Sequence, residues 1–179
     1  MTSYIALLRA VNVGGRNVLG MSRLRGLVAD LGFENVRILL QSGNVVFSGP
    51  RKPPAALEKQ LEGETANRLG LTIDCFVRTA AEWNEIIERN PFRAEAKRDP
   101  SHLVVVFLKS AVPPKNVRAL QTAIVGREMV RGAGRELYIV YPDGIGRSKL
   151  TGAVAEKAIG IPGTARNWNT VLKLADACR

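Results

Sequence analysis

With 179 residues, 46% of them apolar and 23% charged, the chain can build one compact domain or two small ones, which excludes disorder as its main state. Lys and Arg number 26 against 16 Asp and Glu, a net charge of +10 that attracts polyanions; 10 basic and 6 acidic residues fall in the first 80 positions and 16 and 10 in the rest, so no basic tail carries it. No stretch approaches the roughly 18 uninterrupted apolar residues of a membrane helix, and the N-terminus lacks the pattern of a signal peptide, so a soluble, cytoplasmic protein without membrane attachment is expected.

Tyr4–Val11 reads as a buried strand that runs into the glycine-rich loop Asn12–Asn17. Ser22 offers an N-cap for a helix with Leu24, Leu27, Val28 and Leu31 on one face, and Gly32 can close it. Val36–Gln41 and Asn44–Ser48 are short β-rich runs joined as a hairpin through Ser42-Gly43. Pro53-Pro54 opens a second helix carrying Leu57, Leu61 and Leu69, which ends near Gly70. Leu71–Val77 predicts a fourth strand, and a third helix follows with Trp83, Ile86 and Ile87. Asn90-Pro91 stops that helix, and the polar run Arg93–Ser101 has the composition of a linker.

The pattern then restarts. Leu103–Leu108 is a strand, Pro113-Pro114 opens a helix with Val117, Leu120 and Ile124, and Gly126 ends it. Met129–Gly132 and Leu137–Tyr141 form a hairpin around Gly134, Leu150–Ile159 is helical, Ile161–Arg166 is a short strand and Trp168–Ala177 a final helix. Three matches fall in the same order in both halves: Gly32-Phe-Glu-Asn-Val-Arg37 with Gly126-Arg-Glu-Met-Val-Arg131, Leu69-Gly-Leu71 with Ile159-Gly-Ile161, and Trp83-Asn84 with Trp168-Asn169. The expected fold class is α+β: two tandem ferredoxin-like β-α-β-β-α-β units with antiparallel sheets, related by internal duplication. The first unit and its trailing helix take residues 1–90, a linker 91–101, and the second unit with its trailing helix 102–179.

Four separated segments carry a resemblance: Arg9-Ala-Val-Asn-Val-Gly-Gly-Arg-Asn17, Gln41-Ser-Gly-Asn-Val-Val-Phe47, Tyr141-Pro-Asp-Gly-Ile-Gly-Arg-Ser-Lys-Leu-Thr151 and Arg166-Asn-Trp-Asn-Thr-Val-Leu172. On these the sequence resembles the bacterial domain-of-unknown-function family numbered 1697, over almost the whole chain. Ala10 stands where that family usually has Gly. The resemblance implies an α+β protein of repeating architecture and brings no reaction, cofactor or catalytic residue.

Several places could hold a ligand. In Asn12–Asn17, the backbone amides around Gly14 and Gly15, with Arg9, Asn12 and Arg16, could cradle an anion, or the glycines serve only a tight turn. In Asp143–Thr151, Gly144 and Gly146 permit close approach while Arg147, Ser148 and Lys149 stand where a helix is expected to begin, so charge, hydroxyl and free helix amides would converge on an anion. The alternative there is an ordinary turn with Ser148 as N-cap. Gln41, Ser42 and Asn44 cluster at a hairpin and could hydrogen-bond bases, sugars or a peptide, or satisfy the turn itself. Arg166 precedes the last helix, where Asn167 is a plausible cap.

Other chemistry is thin. Cys75 and Cys178 cannot form a disulfide framework or a four-ligand metal site, and the single histidine, His102, has no Cys or acid at triad spacing. No cofactor or metal is expected. Two functions remain open: a basic module binding phosphate-bearing ligands, nucleic acid foremost, and a small enzyme acting on a phosphorylated or acidic metabolite with Arg9, Arg147 and Lys149 as anion clamps. Aromatic residues at 6% leave little for base stacking.

Overall fold

In the computed structural model, which describes residues 1–11, 18–40 and 42–179, the apolar run at the N-terminus forms strand β1 (Thr2–Leu8), buried from Tyr4 onward. It is followed by helix α1 (Met21–Asp30), strands β2 (Glu34–Leu39) and β3 (Asn44–Gly49), helix α2 (Pro54–Leu69), strand β4 (Cys75–Thr79) and helix α3 (Ala80–Glu88). The four strands form an antiparallel sheet in the order β2-β3-β1-β4. Tyr4, Ala6 and Leu8 alternate onto one face, where Leu24, Leu27 and Val28 of α1 and Leu57 and Leu61 of α2 cover them. Burying each such leucine stabilises the fold by about 1.5–3 kcal/mol.

The second series repeats this plan. After α4 (Arg93–Arg98) come β5 (Leu103–Leu108), α5 (Pro114–Ala123), β6 (Met129–Ala133), β7 (Glu136–Val140), α6 (Gly152–Ile159), β8 (Gly163–Asn167) and α7 (Trp168–Ala177). The sheet order is β6-β7-β5-β8, again antiparallel, so the two sheets share one topology and the chain is two tandem ferredoxin-like units. Val104, Leu108, Leu137 and Ile139 pack here against Leu120 of α5 and Ala155 and Ile159 of α6. By contacts the chain divides into Met1–Glu85 with Leu174–Arg179, and Ile86–Lys173. The last six residues thus group with the first unit, where Ala177 lines a groove with α1 and β2.

The repeat is visible in detail at the end of each sheet. Arg78 Nη1 donates to Val77 O at 2.9 Å and Thr79 Oγ1 accepts from Glu82 N at 3.1 Å, capping α3. Arg166 Nη1 donates to Ala165 O at 2.8 Å and Asn167 Oδ1 accepts from Thr170 N at 2.9 Å, capping α7. Arg78 pairs with Ile5, and Arg166 with Val105, at the same place in each ladder. On this register the two tryptophans are not equivalent, since Trp83 is the fourth residue of α3 and Trp168 the first of α7. Three residues turn a helix by about 300°, nearly a full circle, which lets both rings be buried despite the offset. Gly70 and Gly160, by contrast, match as expected: each follows its helix in the left-handed conformation, φ +66° and +71°.

Edge strand β4 is sealed by carboxylates. Cys75 N donates to Glu62 Oε1 at 2.9 Å, Val77 N to Glu58 Oε1 at 2.9 Å, and Thr79 N to Glu82 Oε2 at 2.7 Å. Glu58 is buried and stands 3.7 Å from the buried Arg78 Nη1.

Some boundaries differ from the sequence-based expectations. Helix α1 starts after Gly20 with no side-chain cap, so Ser22 lies inside the first turn. The fourth strand is Cys75–Thr79 and not Leu71–Val77, because its partner β1 ends at Leu8, which pairs with Cys75. Helix α5 closes at Ile124, before Gly126. The polar segment 91–101 carries α4, anchored by buried Phe92, whose N–H bonds Asn90 Oδ1 at 2.9 Å. Among the described residues, no helix is long and apolar enough to cross a membrane.

Candidate functional site

The loop leaving β7 is shaped by local hydrogen bonds. Tyr141 N donates to His102 O at 2.9 Å, extending the β5–β7 pairing, and Gly144 N donates back to Tyr141 O at 2.9 Å. A single 3₁₀ turn follows at Ile145–Arg147. Gly144 has φ +84°, and a side chain there would approach His102 Nε2 to 3.6 Å. The loop and the histidine therefore share one small volume.

His102 ends a second 3₁₀ turn, Pro100–His102, and its Nδ1 lies 2.8 Å from Asp99 Oδ2. Asp99 also accepts from Ser101 Oγ at 2.6 Å. That hydrogen bond and the charge of His102 hold its carboxyl below the usual carboxylate range. Opposite, Arg127 grips Asp143 with two donors, Nε to Oδ2 at 3.1 Å and Nη2 to Oδ1. The Asp143 carboxyl is lowered by this hydrogen bonding first, then by the charges of Arg127, Arg147 and His102. One carboxylate is thus lowered by three groups that are or can become cationic, of which Arg127 touches it. Arg98, His102 and Arg127 line a cleft of about 330 Å³ together with Glu95, Asp99 and Pro142.

The expected helix start at Arg147–Lys149 is corrected. Helix α6 begins at Gly152, and its cap is Thr151, whose Oγ1 accepts from Val154 N at 3.2 Å. Ser148 is engaged elsewhere, donating to Glu128 Oε1 and accepting from Leu150 N at 2.9 Å. Free helix amides therefore do not converge with Arg147 and Lys149. Gly146, Arg147 and Lys149 are exposed, and Lys149 borders a different cleft of about 250 Å³, with Leu120, Ile124 and Val154. Buried Tyr141 closes the loop's inner side by donating to Leu150 O at 3.1 Å; burial, then Glu128, pushes its phenol up to about 12.

The remaining sequence-predicted residues lie apart from this loop. Arg9 is half-buried and 3.6 Å from Asp74. Asn44 is buried, and its Nδ2 donates to Leu39 O and Ser42 Oγ at 2.9 Å each, which fits bracing of the hairpin. Arg166 donates to Thr164 Oγ1 at 2.9 Å as well as to Ala165 O, and desolvation lowers it to about 10. Asn12, Gly14, Gly15, Arg16 and Gln41 lie outside the described residues. Among the described residues, no group of three His, Cys, Asp or Glu is placed to hold a metal ion.

The Asp99–His102 pair and Arg127 were not anticipated. The pair had a local signal: Asp-Pro-Ser-His puts acid and histidine three apart, and a 3₁₀ turn brings such residues to one side. Arg127 had none, because its meeting with Asp143 depends on the β6–β7 register.

The solved structure of a conserved bacterial protein from Streptococcus pneumoniae superposes with a TM-score of 0.77 over 99% of both chains at 21% identity, a likeness of fold. No curated protein matches the chain. The sequence profile described as a protein of unknown function, DUF1697, matches residues 1–138, and the chain belongs to that family.

Proposed function

We propose that this protein is a phosphate-binding module whose ligand is nucleic acid, held through the Gly144–Lys149 loop and the adjoining cleft. The observation that carries this reading is the set of basic groups at the loop, Arg127, Arg147 and His102, all near enough to lower the Asp143 carboxyl, set against Asp143 itself and the cleft's Glu95 and Asp99. Arg98 in the cleft adds to them, and the net charge of +10 supplies long-range attraction. Phosphate contacts of this kind position a ligand without specifying its sequence. Two cysteines without a disulfide, Cys75 buried and Cys178 with its thiol pushed up to about 11 by burial, fit a reducing cytoplasm.

The test is anisotropy of a labelled single-stranded oligonucleotide from low to physiological salt. Binding about micromolar or weaker at physiological salt is expected, with a log–log slope of roughly −0.7 for each phosphate engaged. Arg98→Ala and Arg147→Ala should each make the slope shallower by about 0.7. Absence of binding at low salt, or slopes unmoved by both variants, would refute the proposal.

The Asp99–His102 pair favours a second reading, a small enzyme acting on a phosphorylated metabolite. Asp99 accepts from Nδ1 and so leaves Nε2, beside Gly144, to take a proton. Release of phosphate from a panel of phosphomonoesters that is lost in His102→Gln, together with no oligonucleotide binding at low salt, would support that reading over the first.

A further inference from the structure

The two edges of the first sheet are treated differently. On β4 the outward N–H groups end on glutamate carboxylates, whereas β2 at the opposite edge pairs only with β3. The ladder fixes which β2 groups are free. Leu8 N bonds Gly43 O, so Asn44 and Val46 turn their backbone groups toward β2, where they face Leu39 and Arg37. Ile38, between them, therefore points its N–H and C=O away from the sheet. Among the described residues no hydrogen bond reaches them.

Beside this edge runs a groove of about 790 Å³. Its walls are Met21, Gly26 and Ala29 of α1 and Ile38 and Leu39 of β2, with Ala177 at one end. The lining is apolar apart from Ser22 and two exposed cations, Arg25 and Arg37, and it includes no carboxylate and no aromatic ring. Gly26 is informative. It sits in the middle of α1 with a right-handed φ, and a side chain built on it would meet nothing within 4 Å. The fold gives no reason for glycine there, and glycine weakens a helix interior. At Gly26 the wall of the groove carries no side chain.

We propose that this groove is a docking site for an extended acidic peptide of a partner protein, which adds a short strand to β2 at Ile38. Alternate apolar side chains would enter between α1 and β2, and acidic ones would meet Arg25 and Arg37. The bulge between Glu34 and Arg37 confines the strand to the end of β2 beyond it. A second copy of the chain is disfavoured, because two-fold pairing through this edge would set Arg25 and Arg37 against their own counterparts on a chain of net charge +10. A nucleic acid would find no aromatic ring on which to stack.

The test is selection of octapeptides from a displayed random library on the full chain, followed by anisotropy with the enriched peptide labelled. Enriched sequences should alternate apolar with Asp or Glu. The peptide should shift the amide resonances of Gly26 and Ile38, and Gly26→Leu and the double variant Arg25→Glu, Arg37→Glu should each weaken it by roughly tenfold or more. Gly26→Ala, which fills open space on a helix, should keep or raise the melting temperature, so a loss of binding in Gly26→Leu would reflect the groove and not misfolding. Arg147→Ala should leave peptide binding unchanged, which separates this site from the phosphate site proposed above. Failure to enrich any peptide, enrichment of basic ones, indifference to Gly26→Leu, or an oligonucleotide shifting Gly26 and Ile38 in place of the peptide would overturn the proposal.

Discussion

Replacing Glu58 with Ala tests what burial does to an ion pair. Glu58 and Arg78 are both almost wholly buried at 3.7 Å, whereas Arg68 and Asp30 are closer, at 2.8 Å, but exposed to 42% and 61%. If distance decided the energy, the second pair would be the stronger. Burial decides instead: an exposed pair contributes about 0–1 kcal/mol, while removing one partner of a buried pair costs about 3–5 kcal/mol by stranding the other charge. Glu58→Ala also takes the acceptor from Val77 N–H, so Glu58→Gln, which keeps an acceptor, should cost less. Urea unfolding followed by circular dichroism measures each variant, with Arg68→Ala as the exposed reference. Adding Arg78→Met to Glu58→Ala should recover part of the loss, a coupling of about 0.5–3 kcal/mol. A cost for Glu58→Ala below about 1 kcal/mol, or costs that simply add, would refute the reasoning.

Two further outcomes are expected. Gly70→Ala and Gly160→Ala meet no steric obstacle, but each forces an L-residue into the left-handed region, so each should destabilise by about 1–2 kcal/mol in the same unfolding assay; equal stability to wild type would deny the matching caps their role. Asp143 should titrate below the ordinary carboxylate value in a carbon-detected NMR titration, and Arg127→Ala should raise its midpoint. Because the folded value is depressed, the Arg127 pairing supports the fold above about 3.9, the unfolded value, and that support is lost as pH falls through the folded value. An unmoved midpoint in Arg127→Ala would remove Arg127 as the cause.

Most of the fold was legible in the sequence because its signals are local. Leu103–Leu108 and Trp168–Ala177 were bounded to the residue by an uninterrupted β-branched and apolar run and by a capped amphipathic pattern. Leu71–Val77 misled because alternation marks which residues can form a strand, while pairing with β1 decides which do. The polar run 93–98 concealed α4, whose anchor Phe92 lies just outside it. In the loop after β7, composition singles out the glycines and Arg147 as candidates. The role of Ser148 was not legible there, since its hydroxyl is committed to Glu128, twenty residues earlier in the chain. Arg127 escaped for a similar reason, its partner Asp143 being brought near only by the hairpin between them.

The glutamates that seal β4 also act as a ruler. Glu58 and Glu62 are four residues apart on α2, a rise of about 6 Å, and the N–H groups they meet, on Val77 and Cys75, are two residues apart on the strand, about 6.7 Å. The near match lets one helix face satisfy two outward N–H groups at once. Sliding β4 by one residue against β1 would present Phe76 N–H outward in their place, so the carboxylates would still find donors; what the slip would lose is the apolar pattern, because Cys75 and Val77 would leave the core face and Arg78 or Asp74 would enter it beside Phe76. The carboxylates thus set where α2 stands along the edge, and the side chains of the strand set its register.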